Sequence, residues 1–243
     1  MLVKKISNGK HYAMKILKKK DFYKNEKSEE SVKTEKMVLM KSKHPFIVQL
    51  HYSFQDKTSL YYVLDYIEGG ELFKYLRQKK VFSFEETVFY AAEVLLALSY
   101  LHDKLNTIYR DLKPENILVD KDGHIKLTDF GLSKSKFIFW SNQKLESRYP
   151  TPFAAPVSTS PLRLSKVAFL RPLTVDLGHT KLVDFWTFGV LIFEMICGRP
   201  PFRHKNQTIL YNKITSASYV MPPDIHPDAQ SIIRALLNVD VLS

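Results

Sequence analysis

The sequence predicts an α+β chain with a hinge between two lobes, on three observations. Strand-like segments, the period-two "HYAMKIL" and the buried run in "SLYYVLDY", are gathered before residue 67. Long apolar segments of helical character, "TVFYAAEVLLALSYLH" and "VDFWTFGVLIFEMICGRPPF", dominate the rest of the chain. Between the two regions lies a short connector carrying Gly69–Gly70.

The first strand, "HYAMKIL", sets Ala13, Lys15 and Leu17 on one face and Tyr12, Met14 and Ile16 on the other, so a lysine stands in an apolar row. The helical stretch from about Ser28 to Ser42 aligns Val32, Glu35 and Leu39, which puts a carboxylate on the face that packs inward. Two opposite charges facing inward suggest a pair, but on these two segments alone a snorkelling lysine and an exposed glutamate are the preferred reading. A buried strand then ends near Leu64, and a helix opens at Glu71 after the glycine connector. Ser83 and Glu86 form a capping box for a core helix whose stripe is Val88, Ala91, Leu95 and Leu98. Two short strands, "NILVD" and "HIKLTDF", flank the turn "KDG". The segment "VDFWTFGVLIFEMIC" is apolar nearly all round and reads as a buried helix, stopped by Gly198 and Pro200–Pro201. From Tyr211 onward the pattern is of short helices, punctuated by Pro222–Pro223 and Pro227.

A chain of 243 residues that is 45% hydrophobic and 25% charged is composed as folded proteins are, which excludes disorder throughout. Its single cysteine, Cys197, excludes an internal disulfide and points to a reducing compartment, the cytoplasm first and the nucleus second. The longest apolar run, near Phe185 to Cys197, is interrupted by Glu194 and too short to span a bilayer, and "MLVKKISNGKHYAMKILKKK" lacks a signal-peptide apolar core. The net charge of +11 comes from lysines scattered over Lys4–Lys5, Lys18–Lys20, Lys41–Lys43 and Lys79–Lys80. Without zinc spacing, a glycine-clamp loop or an aromatic-basic stripe, that charge reads as a solvated surface and not as a specific nucleic-acid site.

The chemistry lies in "YRDLKPEN" at 109–116 and "DFG" at 129–131, both at strand or loop junctions. Phosphoryl transfer needs a triphosphate held with metal ions and a hydroxyl aligned with the leaving oxygen. Asn116 and Asp129 supply the hard oxygen ligands that magnesium takes, and Asp111 can orient the hydroxyl and accept its proton. Lys113, two residues on, can offset charge on the transferred group. Lys15 fits as the ligand of the inner phosphates and Glu35 as the group that positions it, which gives the inward charges a reason.

Together with "HYAMKILKK", "TEKMVL", "HPFIVQLHYSFQ", "YIEGGELF", "GHIKLTDFGLSK" and "DFWTFGVLIFEMICGRPPF", these runs resemble the protein kinase family. Within it they are similar to the AGC group of serine/threonine kinases, on a ribosomal-protein-kinase-like branch. The resemblance covers most of 1–134 and 178–240. It implies the two-lobed kinase fold, with an incomplete β-rich N-lobe over 1–64, a hinge over 65–70 and a mainly helical C-lobe over 71–243. It implies ATP between the lobes, with Leu64, Asp65 and Ile67 beside the adenine and Ala13 and Leu118 above and below the ring. It also implies Mg2+ on Asn116 and Asp129, an upstream activating kinase, and protein substrates with basic residues near the phosphorylated hydroxyl, met by Glu71 and Glu115. For Glu71 a second role stays open, that of a carboxylate favoured at a helix start by the dipole. Asp184 resembles the family's buried aspartate that braces the catalytic loop.

The sequence also departs from the family. None of its eight glycines forms G-x-G, and the chain starts where the glycine-rich loop would end, so an exposed sheet edge and weakened nucleotide binding are expected. "LLNVDVLS" stops where the family continues into a final helix, so the chain reads as cut at both ends. Over 136–177 neither the activation loop nor the expected C-G-T-P-E-Y-L-A-P-E segment is legible. Yet codons that spell Phe153–Arg163 exist which, read from the third base of each, give C-G-T-R-E-Y-L-A-P-E, in agreement at nine of ten positions. An out-of-frame activation segment is the expectation. A catalytically impaired fragment or pseudokinase, acting as a binding module, is the alternative to an active enzyme.

Overall fold

Antiparallel pairing of short strands builds the first lobe. The computed structural model describes residues 1–22, 26–135 and 181–239; the expectations for 136–177, including "FAAPVSTSPLR", and for the last four residues lie outside the described residues. Strands β1 (Leu2–Lys4), β2 (His11–Lys18), β3 (Leu50–Gln55) and β4 (Ser59–Asp65) form one sheet in the order β1-β2-β4-β3. The central pair runs from Tyr12 opposite Asp65 to Lys18 opposite Ser59, which sets Ala13 against Leu64 and Lys15 against Tyr62. Helices α1 (Lys19–Phe22) and α2 (Glu26–Lys41) follow β2, and α2 buries Thr34, Glu35, Val38 and Leu39 as its 3.6-residue period requires.

The second lobe is helical: α3 (Leu72–Lys79), α4 (Phe84–Asp103), α5 (Leu182–Cys197), α6 (Gln207–Thr215) and α7 (Pro227–Leu236). Two small antiparallel pairs sit between α4 and α5 in sequence, β5 (Thr107–Ile108) with β8 (Lys134–Ser135), and the hairpin of β6 (Ile117–Val119) with β7 (Ile125–Leu127). The capping box of α4 is present, Glu86 N–H donating to Ser83 Oγ at 3.2 Å and Ser83 N–H to Glu86 Oε2 at 3.0 Å. Gly198 ends α5 at φ +66°, where an added Cβ would meet Lys80 O at 2.1 Å. Pro227 opens α7 in its first turn, where a missing N–H costs nothing.

The core stripe expected on α4 is corrected. Val88 and Leu95 are 49% and 39% exposed, whereas Val94, Ala97, Leu98 and Leu101 are buried. Apolar residues surround most of this helix, so spacing alone leaves its rotation open; packing on α5, β5 and β7 selects the inward face.

Among the described residues, main-chain bonds tie the lobes at two places. Behind the cleft, Val48 N–H donates to Leu127 O at 3.0 Å and Leu127 N–H to Phe46 O at 2.9 Å. At the connector, Val119 N–H donates to Gly70 O at 2.8 Å. Among the described residues no helix is long and apolar enough to cross a membrane.

Candidate active site

The loop after β5 is shaped by one buried carboxylate. Asp184, fully enclosed in the first turn of α5, accepts Tyr109 N–H at 2.8 Å, Arg110 N–H at 2.7 Å and His102 Nε2–H at 2.6 Å. These bonds hold Arg110 at φ +65°, a left-handed conformation that a non-glycine residue keeps only when its surroundings enforce it. Tyr109 is buried as well, and its hydroxyl donates to Thr128 O at 2.5 Å, which binds this loop to the strand end before Asp129. Asp129 itself stands at φ +57°. The bracing role expected of Asp184 is thus present in geometry. Its partner His102, in "SYLH", escaped sequence reading; a histidine closing an apolar helix was the available signal.

Asp111, Lys113 and Asn116 come together as expected. Lys113 Nζ donates to both oxygens of Asp111, at 2.8 and 2.7 Å, and Asn116 Nδ2 donates to Asp111 O at 2.9 Å and to Oδ2 at 2.7 Å. Burial pushes the Asp111 carboxyl above its ordinary value, while Lys113 and Asn116 oppose that push. A carboxylate so placed accepts a proton more readily than one in water.

Lys15 joins the lobes. Its Nζ lies 2.5 Å from Glu35 Oε1 on α2 and 3.1 Å from Asp129 Oδ1 in the second lobe. Burial disfavours the ammonium, but Glu35 and then Asp129 outweigh it, so Lys15 ends above its ordinary value. Burial likewise raises Glu35, with Lys15 pulling the other way. Both alternatives for this pair, a snorkelling lysine and an exposed glutamate, fall to the geometry.

The expected ring-binding residues are less enclosed. Ala13 shares the Lys15 face of β2 and is half-buried, as are Leu118 on β6 and Ile67 in the connector, while Leu64 is buried. The Asp65 side chain turns towards β3, accepting from Gln49 N–H and pairing with His51, so it is committed within the sheet. Glu71 is exposed at the N-cap of α3, where its side chain caps no helix amide, and it bridges to Leu118. Glu115 lies in the short 3-10 turn Pro114–Asn116, half-buried.

Magnesium fits the oxygen donors present. Asn116 Nδ2 is committed to Asp111, which leaves the amide oxygen as the atom for a cation, and the Asp129 carboxylate is 51% exposed.

A family model described as protein kinase domain matches residues 1–243. The chain is 43% identical to protein kinase 3 of Dictyostelium discoideum over 98% of its own length and 25% of that protein. It is 43% identical to cAMP-dependent protein kinase type 3 of Saccharomyces cerevisiae, over 99% of its length and 55% of that protein. To human ribosomal protein S6 kinase alpha-3 it is 43% identical over 97% of its length and 30% of that protein. The chain therefore spans between a quarter and just over half of these relatives.

Proposed function

From the premise that the chain belongs to the protein kinase family, we propose that it transfers the terminal phosphoryl group of ATP to serine or threonine hydroxyls of protein substrates. One observation carries the reading: Lys15 is bonded at once to Glu35 in the first lobe and to Asp129 in the second, beside the Asp111–Lys113–Asn116 cluster. In the transfer, the substrate oxygen forms a bond to the terminal phosphorus, the bond from that phosphorus to the bridging oxygen breaks, and ADP leaves with the electron pair. Asp111 orients the hydroxyl and takes its proton; its raised affinity for protons supports that role. Lys113, already on Asp111, is placed to offset charge on the moving group. Lys15 holds the inner phosphates, with Glu35 fixing its direction. Bound magnesium supplies neutralising charge to the phosphates, and Asn116 and Asp129 are the residues that would hold it.

The lobes divide at 64 and 71 in this reading, with 65–70 as the hinge beside adenine. Exposed Glu71, with Glu115, favours substrates carrying basic residues near the target hydroxyl. Activation by an upstream kinase, which the resemblance implies, belongs to the same reading.

The test is direct. The chain with ATP, Mg2+ and an arginine-containing serine peptide is expected to yield phosphopeptide, and Asp111→Asn to lower the rate by about 10²–10⁴ while ATP still raises the melting temperature. An unchanged rate in Asp111→Asn would refute the assigned mechanism. No thermal shift with ATP and Mg2+ would favour the non-catalytic binding module.

A further inference from the structure

Strand β3 is irregular at His51. Its register with β4 shifts between Leu50, opposite Leu64, and Tyr52, opposite Val63, so His51 is an extra residue without a cross-strand partner. Such a bulge re-aims a side chain out of the regular alternation. Here the imidazole meets the last residue of β4: His51 Nε2 lies 2.7 Å from Asp65 Oδ1, and since a carboxylate only accepts, the Nε2–H donates. The other carboxylate oxygen accepts Gln49 N–H at 2.9 Å, and Asp65 N–H donates to Gln49 O at 3.0 Å. On the far side, buried Tyr12 is the β2 partner of Asp65 and stands edge-on to the His51 ring, with centroids 4.9 Å apart. Asp65 is therefore gripped from both neighbouring strands at the point where the chain leaves the sheet for the connector.

We infer that His51 and Asp65 are positioning residues of the nucleotide site: their bond, made possible by the bulge, clamps the start of the connector and orders the main chain against which a ring would dock. The clamp follows from the geometry alone; its effect on nucleotide rests on the functional reading above. The connector is then held at both ends: this clamp fixes its start, and its far end, with Gly70 at φ +79°, is held by Val119 N–H donating to Gly70 O at 2.8 Å. Ordering it before a ligand arrives removes a cost that binding would otherwise bear.

The experiment uses the whole chain and four variants. His51→Phe keeps a ring against Tyr12 but loses the donor, Asp65→Asn weakens the acceptor, the double variant combines them, and His51→Gln retains an N–H donor. Amide hydrogen exchange over residues 66–70 is measured without ligand, and ATP–Mg2+ affinity by calorimetry. Each of the first two variants is expected to speed connector exchange and to weaken ATP binding about tenfold, the size of one lost charged hydrogen bond. The double variant should be no weaker than either single one, and His51→Gln should recover most of the affinity. Unchanged connector exchange in both single variants, additive losses in the double, or a lower melting temperature with unaltered affinity would each overturn the inference. A parent chain that does not bind ATP would overturn the nucleotide role and the kinase reading together, while connector exchange would still decide the clamp.

Discussion

At Glu35 burial and a neighbouring charge pull in opposite directions. Burial raises its carboxyl, and the Lys15 ammonium at 2.5 Å is the group that lowers it. Lys15→Met removes that opposition, so Glu35 is expected to titrate higher than in the parent, as followed by carboxyl NMR; an unchanged or lower value would contradict the pairing. The sign for stability comes from linkage. A carboxyl raised by folding contributes stability in full below its unfolded value, about pH 4.3, and loses it as pH rises through the folded value. The Lys15→Met chain should therefore lose more stability than the parent between mildly acidic and neutral pH, measured by urea unfolding at several pH values. Residues at this scale were legible where motif spacing named them, as for Asp111, Asn116 and Asp129. His51 carried no such mark, because nothing local announces a bulge.

Helix α4 displays two properties that belong to elements. Its rotation is tested by Leu98→Ala against Leu95→Ala. Leu98 is fully buried, and truncation should cost about 2–5 kcal/mol, whereas Leu95 at 39% exposed should cost under about 1 kcal/mol, both from denaturant midpoints. The same helix pins the β6–β7 turn: buried Glu93 accepts His124 Nδ1–H at 2.5 Å and Ile125 N–H at 2.9 Å. The hydrogen bond to Glu93, then its charge and those of Asp120 and Asp122, raise the His124 imidazole. This contribution is complete below the unfolded histidine value, about 6.5, and fades as pH rises through the folded one. Across the same junction His44 is lowered, by burial and then by Lys126, and acts in the opposite sense. Replacing His124 by Gln is expected to remove a fall in melting temperature above pH 6.5, and His44→Gln to remove a fall below it; parallel curves for parent and both variants would refute this.

For the whole molecule the decisive contacts are those that fix one lobe on the other. An added Cβ at Gly69 would stand 2.3 Å from Val119 O, so Gly69→Ala forces the connector off β6. The expected loss is about 2 kcal/mol, or roughly 4–8 °C in melting temperature, with weaker ATP binding. Gly70→Ala meets nothing within 4 Å and should cost only the left-handed backbone strain, about 1–2 kcal/mol, with β6 undisturbed. Equal effects of the two on ATP affinity would show that the connector–β6 contact does not position nucleotide.

By itself the sequence determined what depends on near neighbours: the two-residue period of β2, the Ser83–Glu86 cap, the β6–β7 hairpin, the Gly198 stop and the residue types of the catalytic motifs. Tertiary structure alone decided which side of α4 is inward, that Lys15 meets Asp129 from 114 residues away, that His102 and Asp184 join across 82, and that His51 turns onto Asp65. Periodicity and caps are written in a few consecutive residues, whereas these contacts depend on how separately formed elements rotate and pack, and a strongly apolar helix or an unmarked bulge does not encode that choice locally.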